Sequence, residues 1–514
     1  MMRIGVDVGG TNTDAVLMEG HVLKTSCKTP TSPDISGGII DAITSVLRSS
    51  GASSEQIKAV MIGTTQFTNA FIERRGLLPV GVIRLALPAA RGAPPMTDWP
   101  PDIVDIIGKH SYMVKGGYEF DGREISPLDE KAVARAAKEL RQRGIRAVAV
   151  SGVFSSIKAD MEERAAEIVQ EEIADALITL SSRIGRIGLL ERENAAIMNA
   201  ALRDLSTRVV SSFKEALSRL QVNAPLYISQ NDGTLMNAEF VEKYPILTFA
   251  SGPTNSMRGA ASLSGVHDAL VADIGGTTTD IGMLVKGFPR ESTLEVDIGG
   301  IRTNFRMPDI VSIGLGGGSL VSRSNPCQIG PRSVGNRLTQ AALVFGGDTL
   351  TVTDVAVAAG SIAIGQQKKV AHLPHRLVDS AIARLHSMLA EGIDRIKVNA
   401  EPLPLILVGG GATLLNWHIN GTSEGIVPEQ AGVANAIGAS IAQVGGEIEK
   451  IYSYQKLGRE EALDDAKRQA VKTAVEAGAR EDTVEIIDFE EVPLAYVPGN
   501  TVRLRAKAAG ELAL

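Results

Sequence analysis

The stretch RIGVDVGGTNTDAVLM, residues 3–18, returns as LVADIGGTTTDIGML at residues 270–284. DVGGTNTD and DIGGTTTD share six of eight positions and stand in different halves of the chain, so each half is expected to carry one copy of a duplicated unit. In each copy an Asp ends a strand, two glycines make the turn and threonines begin the next strand. Such a turn lines up backbone N–H groups and hydroxyls around an anion of phosphate size. Beside phosphates an Asp serves a hydrated Mg²⁺, which takes one or two carboxylates and completes its shell with water and substrate oxygens. A tight hairpin accounts for one copy equally well. Two copies facing each other would clamp a polyphosphate, with Asp7 and Asp273 as catalytic and metal-holding carboxylates.

Composition narrows the function classes. At 514 residues the chain exceeds a single core, and three or four units are expected. Hydrophobic residues at 44 % and charged residues at 22 % describe a globular chain rather than a disordered one. A net charge of −7 without long basic runs argues against nucleic-acid binding. Only Cys27 and Cys327 are present, which excludes a disulfide framework or a cysteine zinc site and points to a reducing cytoplasm. The longest apolar runs, such as LPLILVGGGATLL at 403–415, are too short and glycine-rich to span a bilayer, and no leader pattern opens the chain. No membrane partner is expected.

Alternating strand and helix patterns predict an α/β protein of two lobes. The first lobe is placed at 1–205 with an insertion at about 75–190, the second at 206–445, and a small α/β unit at 446–514. Segment 80–126, with ARGAPPMTDWPP, reads as a loop or insertion over a cleft. The stretch GEIEKIYSYQKLGREEALDDAKRQAVKTAVEAGA at 446–479 reads as helix before terminal strands. A third glycine-rich strand end, LILVGGGATLL, could lie against a purine and ribose.

The order of phosphate hairpin, helical connector, second hairpin and glycine-rich turn resembles the actin, sugar kinase and heat-shock ATPase superfamily. In detail the chain resembles the hydantoinase A/oxoprolinase family, whose relatives include subunits of acetone and acetophenone carboxylases. The resemblance rests on DVGGTNTD, GTTQFTNAFIERRG, LERENAAIMNAAL, FASGPTNSMRGA, DIGGTTTDIG, DIVSIGLGGGS and GIVPEQAGVANAIGA, and runs from about residue 3 to 440. It implies a two-lobed actin-like ATPase fold of duplicated ribonuclease-H-like domains. It also implies ATP phosphates on Gly9, Gly10, Thr11, Asn12 and Thr13 and on Gly275, Gly276, Thr277, Thr278 and Thr279. Mg²⁺ would sit near Asp7 and Asp273, adenosine on Gly409, Gly410 and Gly411, and Gly316, Gly317, Gly318, Ser319 and residues 251–253 would line the same cleft. The implied chemistry is ATP-driven phosphorylation of an amide or carbonyl oxygen in a cyclic substrate, followed by ring opening, with a hydantoinase B-like or other partner subunit. A small-molecule kinase, or a nucleotide-gated regulatory or assembly ATPase, would share the fold, and self-association stays open.

The chain departs from the family pattern in its substrate half. Members typically carry His where this chain has Ile62 and Val311, and GNRLTQAALVFGG stands where a DPGPACYG-like stretch is expected. The isolated chain is therefore expected to bind ATP and open few rings. Asp232, in SQNDGTL at a strand end, is a candidate base as well as an Asn-Asp-Gly turn residue. His372 and His375 lack a third ligand nearby, and Glu73, Arg74 and Arg75 read as a solvated helix end. Small residues in AGVANAIGAS suit close helix packing, and helices near 191–205 and 430–443 are expected as hinges between the lobes.

Overall fold

The computed structural model describes residues 1–513 apart from 10–11, 31–34, 293–294, 325, 415–417, 442 and 496. Strand Met2–Val8 pairs antiparallel with Asn12–Glu19, which pairs in turn with Val22–Pro30, and lies parallel to Ile57–Thr64 on its other side. Leu226–Ser229 follows in parallel. Ile4, Val6 and Val8 are buried with Ile39, Ile43 and Phe213 from two flanking helices, Ile35–Ser50 and Leu189–Arg219. The second sheet repeats the plan. Ala269–Ile274 pairs antiparallel with Thr279–Val285 and parallel with Leu403–Val408, and Ile310–Ile313 pairs with Thr279–Val285.

The expected division of the chain shifts where long-range pairing decides it. Position 205/206 falls inside the Leu189–Arg219 helix, because that helix is the crossover that returns the chain to Leu226–Ser229 in the first sheet. Residues 446–514 extend the same sheet rather than standing apart. Gln443–Ser453 pairs with Thr234–Asn237, and Thr501–Gly510 and Glu485–Pro493 follow outward. The start of the 446–479 stretch is thus strand, and the helix begins at Arg459. That helix buries Ala462, Ala466, Ala470 and Ala474 on the sheet, so close that a Cβ on Gly446 would lie 2.1 Å from the Ala474 nitrogen.

The 80–126 segment is not a loop. Val80–Leu87 and His110–Lys115 belong to a four-stranded parallel sheet with Ala147–Gly152 and Leu177–Leu180, which has its own core of Ile83, Leu85, Val148 and Val150. Its two central strands, Val80–Leu87 and Ala147–Gly152, are buried on both faces, so they show no alternation in sequence. A fully buried ion pair fastens it to the first lobe: Arg84 Nε and Nη2 donate to Glu193 at 2.7 and 2.5 Å. Arg192 next to it donates to Ser155, Ser181 and the carbonyls of Arg186 and Gly188, which accounts for Arg192 and Glu193 in LERENAAIMNAAL.

Two helices fill the space between the principal sheets. Ala434–Ile441 packs on the first sheet, where a Cβ on Gly5 would lie 2.3 Å from the Ala436 oxygen, and Ser251–Ser264 packs on the second through Met257, Ala260 and Ala261. They cross at glycines: a Cβ on Gly259 would lie 1.8 Å from the Ala434 oxygen, and one on Gly438 1.8 Å from the Asn255 oxygen. The inter-lobe pair is therefore 251–264 with 434–441, while residues 191–205, expected as a hinge, sit in the first-lobe core. Gly259→Ala is expected to force the helices apart and cost about 3 kcal/mol in urea unfolding, in the upper range for overpacking. Gly410→Ala, whose Cβ would meet nothing, is expected to leave the unfolding midpoint nearly unchanged.

Candidate functional site

The two hairpins are superimposable in their bonding. Asp7 stands opposite Asp14 across one, and Asp273 opposite Asp280 across the other. The Gly9 N–H donates to the Asn12 carbonyl at 3.1 Å, and the Gly275 N–H to the Thr278 carbonyl at 2.9 Å. Each leading Asp has a glycine against it, Gly63 on the parallel strand Ile57–Thr64 and Gly409 just after the parallel strand Leu403–Val408. A Cβ on Gly63 would lie 2.5 Å from Asp7 Oδ1, and one on Gly409, at φ +84°, 2.2 Å from Asp273 Oδ1. On the third strand, Lys28 donates to Asp14 at 2.7 Å and Ser312 donates to Asp280.

The inter-lobe helices supply the groups that bring the hairpins together. Ser256 Oγ donates to Asp273 Oδ2 at 2.5 Å, and the neighbouring Asn255 amide lies against Asp7. Asn435, at the start of the second helix, donates to Asp7 Oδ2 at 2.8 Å. Asp7, Asp14, Lys28, Asp273 and Asn435 thereby line one cleft of about 520 Å³, with Gly9, Asn12, Gly275, Gly276, Gly317 and Gly409, Gly410 and Gly411. Ala434 and Gly432 also line it, so the positive end of the Ala434–Ile441 helix opens onto the cleft.

Burial sets the electrostatics. It pushes the Asp7 carboxyl up to about 7, with the charges of Asp14 and Asp273 adding and the Asn435 and Asn255 amides opposing. Asp273 is also raised by burial, against the Ser256 hydroxyl, and Asp14 by burial against Lys28. Burial lifts Asp280 to about 6. Asp7 Oδ1 is buried without a well-formed hydrogen bond. Carboxylates crowded in this way, one with an oxygen in want of a partner, fit a divalent cation.

Other expected site residues take different places. Gly316 and Gly318 brace the hairpin: a Cβ on Gly316 would lie 2.5 Å from the Thr277 nitrogen, and the N–H groups of Gly317 and Gly318 donate to the carbonyls of Gly275 and Gly276. Thr13 and Thr279 are buried, and Thr279 donates to the Leu315 carbonyl. Thr277 and Thr278 are exposed at the turn. Ser251 donates to the Thr64 carbonyl and, with Gly252 and Pro253, starts the inter-lobe helix instead of lining the cleft. Gly10 and Thr11 lie outside the described residues.

Asp232 is not brought to Asp7 and Asp273. It lines another cavity, where Thr234 donates to it and Lys507 and Arg306 pair with it at 3.1 and 3.3 Å. Burial alone would raise its pKa, but those two cations hold it well below the usual carboxylate range, which unsuits it to act as a base. Glu291 and Glu447 complete a buried ionic network with Lys507, Arg306 and Arg186. Ile62 is buried in the first core and Val311 packs against the second, neither in the cleft. His372 and His375 are exposed, and among the described residues no group of three His, Cys, Asp or Glu side chains could hold a metal by itself.

Asn255, Ser256, Asn435, Asp14 and Lys28 escape the sequence reading. The signal of Asn255, Ser256 and Asn435 is present in TNSMRGA and GVANAIGA, where isolated polar residues interrupt helices of small residues.

Comparison with known proteins gives the family and the fold. The hydantoinase/oxoprolinase N-terminal region matches residues 3–173, and the hydantoinase/oxoprolinase model matches 192–368. The chain belongs to the hydantoinase/oxoprolinase family. It is 28 % identical over 400 residues to the acetophenone carboxylase gamma subunit of Aromatoleum aromaticum, covering 70 % of this chain and 53 % of that one. To caprolactamase subunit alpha of Pseudomonas jessenii it is 28 % identical over 386 residues, covering 71 % and 55 %. The chain thus spans little more than half the length of these relatives. The solved ATP-dependent caprolactamase from the same organism superposes with a TM-score of 0.80 at 20 % identity, covering 99 % of this chain and 88 % of that one. The fold is the actin-like ATPase fold. Among the described residues no helix is long and apolar enough to cross a membrane.

Between the ordinary carboxylate range and pH 7, folded Asp7 holds a proton that the unfolded chain has released. Its contribution to stability therefore falls as pH rises through that window. Asp7→Asn is expected to stabilise the ligand-free protein at pH 8 by an amount on the order of 3 kcal/mol. Urea unfolding at pH 8 and pH 4 checks this: the advantage of the variant should shrink toward the acid end.

Proposed function

We propose that this chain is the ATP-using component of a ring-opening amidohydrolase, in which the γ-phosphate is transferred to the carbonyl oxygen of a cyclic amide. The observation that carries the reading is the convergence of both hairpins on one cleft, with Asp7 held by Asn435 and Asp273 by Ser256 from the two helices that cross between the lobes. The names of the relatives support it, since one is a caprolactamase and another an Arabidopsis thaliana 5-oxoprolinase.

In this reading the backbone N–H groups of both turns receive the phosphate oxygens, as does the N-terminal end of the Ala434–Ile441 helix. Asp7 and Asp273 would hold Mg²⁺ through water, and when bound the ion would offset charge on the β- and γ-phosphates. Lys28 is the one cationic side chain among the described residues lining the cleft. Its ammonium would move from Asp14 toward the transferred phosphoryl group. The amide oxygen forms a bond to phosphorus as the β–γ bridging bond breaks and ADP leaves. Water then adds to the phosphorylated amide carbon, the C–N bond breaks as the ring nitrogen takes up a proton, and a second water hydrolyses the resulting acyl phosphate to the open-chain carboxylate and inorganic phosphate. Phosphorylation makes a good leaving group of a poor one, and positioning with charge neutralisation is what the enzyme must add.

The cleft offers Asp7, Asp14, Asp273 and Lys28 as its ionisable groups among the described residues, all committed to phosphate and cation. Groups that bind the ring and activate water would then come from a partner subunit, in keeping with the subunit names of the relatives. Calorimetry is expected to show Mg-ATP binding by the isolated chain. Asp7→Asn and Asp273→Asn should retain nucleotide but lose at least about 100-fold in ATP turnover, and Lys28→Met about ten-fold or more, as expected where charge stabilisation is lost. Phosphate release assayed with lactams and hydantoins, with and without a co-transcribed subunit, checks the substrate class. A stable phosphorylated product would favour a kinase, and unchanged turnover in both Asp variants would contradict the reading.

A further inference from the structure

A cavity of about 1040 Å³ lies at the other end of the strands from the cleft, where both lobes meet the C-terminal strands. Arg3 from the first sheet, Arg258 from the inter-lobe helix and Lys286 from the second sheet line it together. Arg258 is only 9 % exposed and has no carboxylate within ion-pairing distance among the described residues. Its Nη1 donates to the Gly287 carbonyl and its Nη2 to Gln443 Oε1, its plane lies over the Phe288 ring, and its Nε–H has no partner. Arg3 shows the same condition: Nη2 donates to the Gly20 carbonyl, and Nε is buried without a partner. Burial lowers Arg258 to about 10, with the charge of Asp232 opposing, so it remains cationic at neutral pH.

A buried guanidinium is expensive to keep unless an opposite charge meets it. For Arg258 the carboxylates on the cavity wall do not serve this purpose: Glu511, whose charge favours the Arg3 cation, pairs with Arg480 at 3.2 Å, and Glu485 forms no ion pair with Arg3 or Arg258 among the described residues. Phe288, Ile486 and Leu512 give the same cavity an apolar wall. We propose that this cavity is a binding site for a small organic anion, whose carboxylate or phosphate head meets Arg258 and Arg3 while its apolar body lies against Phe288, Ile486 and Leu512. Arginine suits this task because its fork of donors matches both head groups. The site shares no lining residue with the nucleotide cleft and does not rest on the proposed activity.

Calorimetry on the full chain with hexanoate and hexyl phosphate, and with hexanol as the uncharged control, tests the proposal and separates the two head groups. Saturable binding of at least one anion and none of hexanol is expected. Lys286→Glu, at an exposed position that leaves folding intact, should weaken it about ten-fold, and Arg258→Gln more. Hydrogen exchange should slow at 284–289 and 484–488 and not at 273–280. Equal binding of hexanol, unchanged affinity in Lys286→Glu, protection confined to 273–280, or no binding at millimolar anion would each overturn it.

Discussion

The contact on which everything else depends is the crossing of two helices at Gly259 and Gly438, where each glycine lies against the other helix's backbone. No larger residue fits, and the closeness has a chemical result. It brings Asn255 and Asn435 to Asp7 and Ser256 to Asp273, so the two halves of a duplicated sequence share one set of hydrogen bonds. Had the helices stood a methyl group further apart, each hairpin would remain a sound turn, and the cleft between them would lose its shape.

The same crossing places like charges in a nearly dry site. Burial raises the pKa values of Asp7, Asp14 and Asp273, the charges of Asp14 and Asp273 raise Asp7 further and that of Asp14 raises Asp273, with Lys28, the Ser256 hydroxyl and the amides only partly relieving them. A protein keeps such an arrangement at a cost to its own stability, and a cation with a polyphosphate would reverse that cost on binding. The Asp232 network shows the opposite balance: its cations and carboxylates already satisfy one another, which fits a joint between the C-terminal strands and the first lobe.

The duplicated hairpins were legible because such a turn is local: its glycines, threonines and Asp sit within eight residues. The α/β lobes and the glycine turn at 409–411 were legible for the same reason. Long-range placement was not. Nothing near Asp232 announces Lys507, so a paired structural carboxylate resembled a base. VGVIRLAL, buried on both faces in a parallel sheet, lacks the alternation that marks a strand, and the proline-rich stretch after it suggested a loop. Asn255 and Asn435 were hidden in plain packing sequence, since an Asn among alanines and glycines gains its meaning only when a second helix brings a carboxylate to it.

The most direct test of this account is the position of a metal–nucleotide complex. Crystals grown with Mn²⁺ and a non-hydrolysable ATP analogue would locate the metal by its anomalous scattering. One strong peak is expected between Asp7 and Asp273, with the triphosphate spanning the turns at 9–13 and 275–279. A peak at the Asp232 network, or a nucleotide bound to one hairpin while the other stays free, would contradict it.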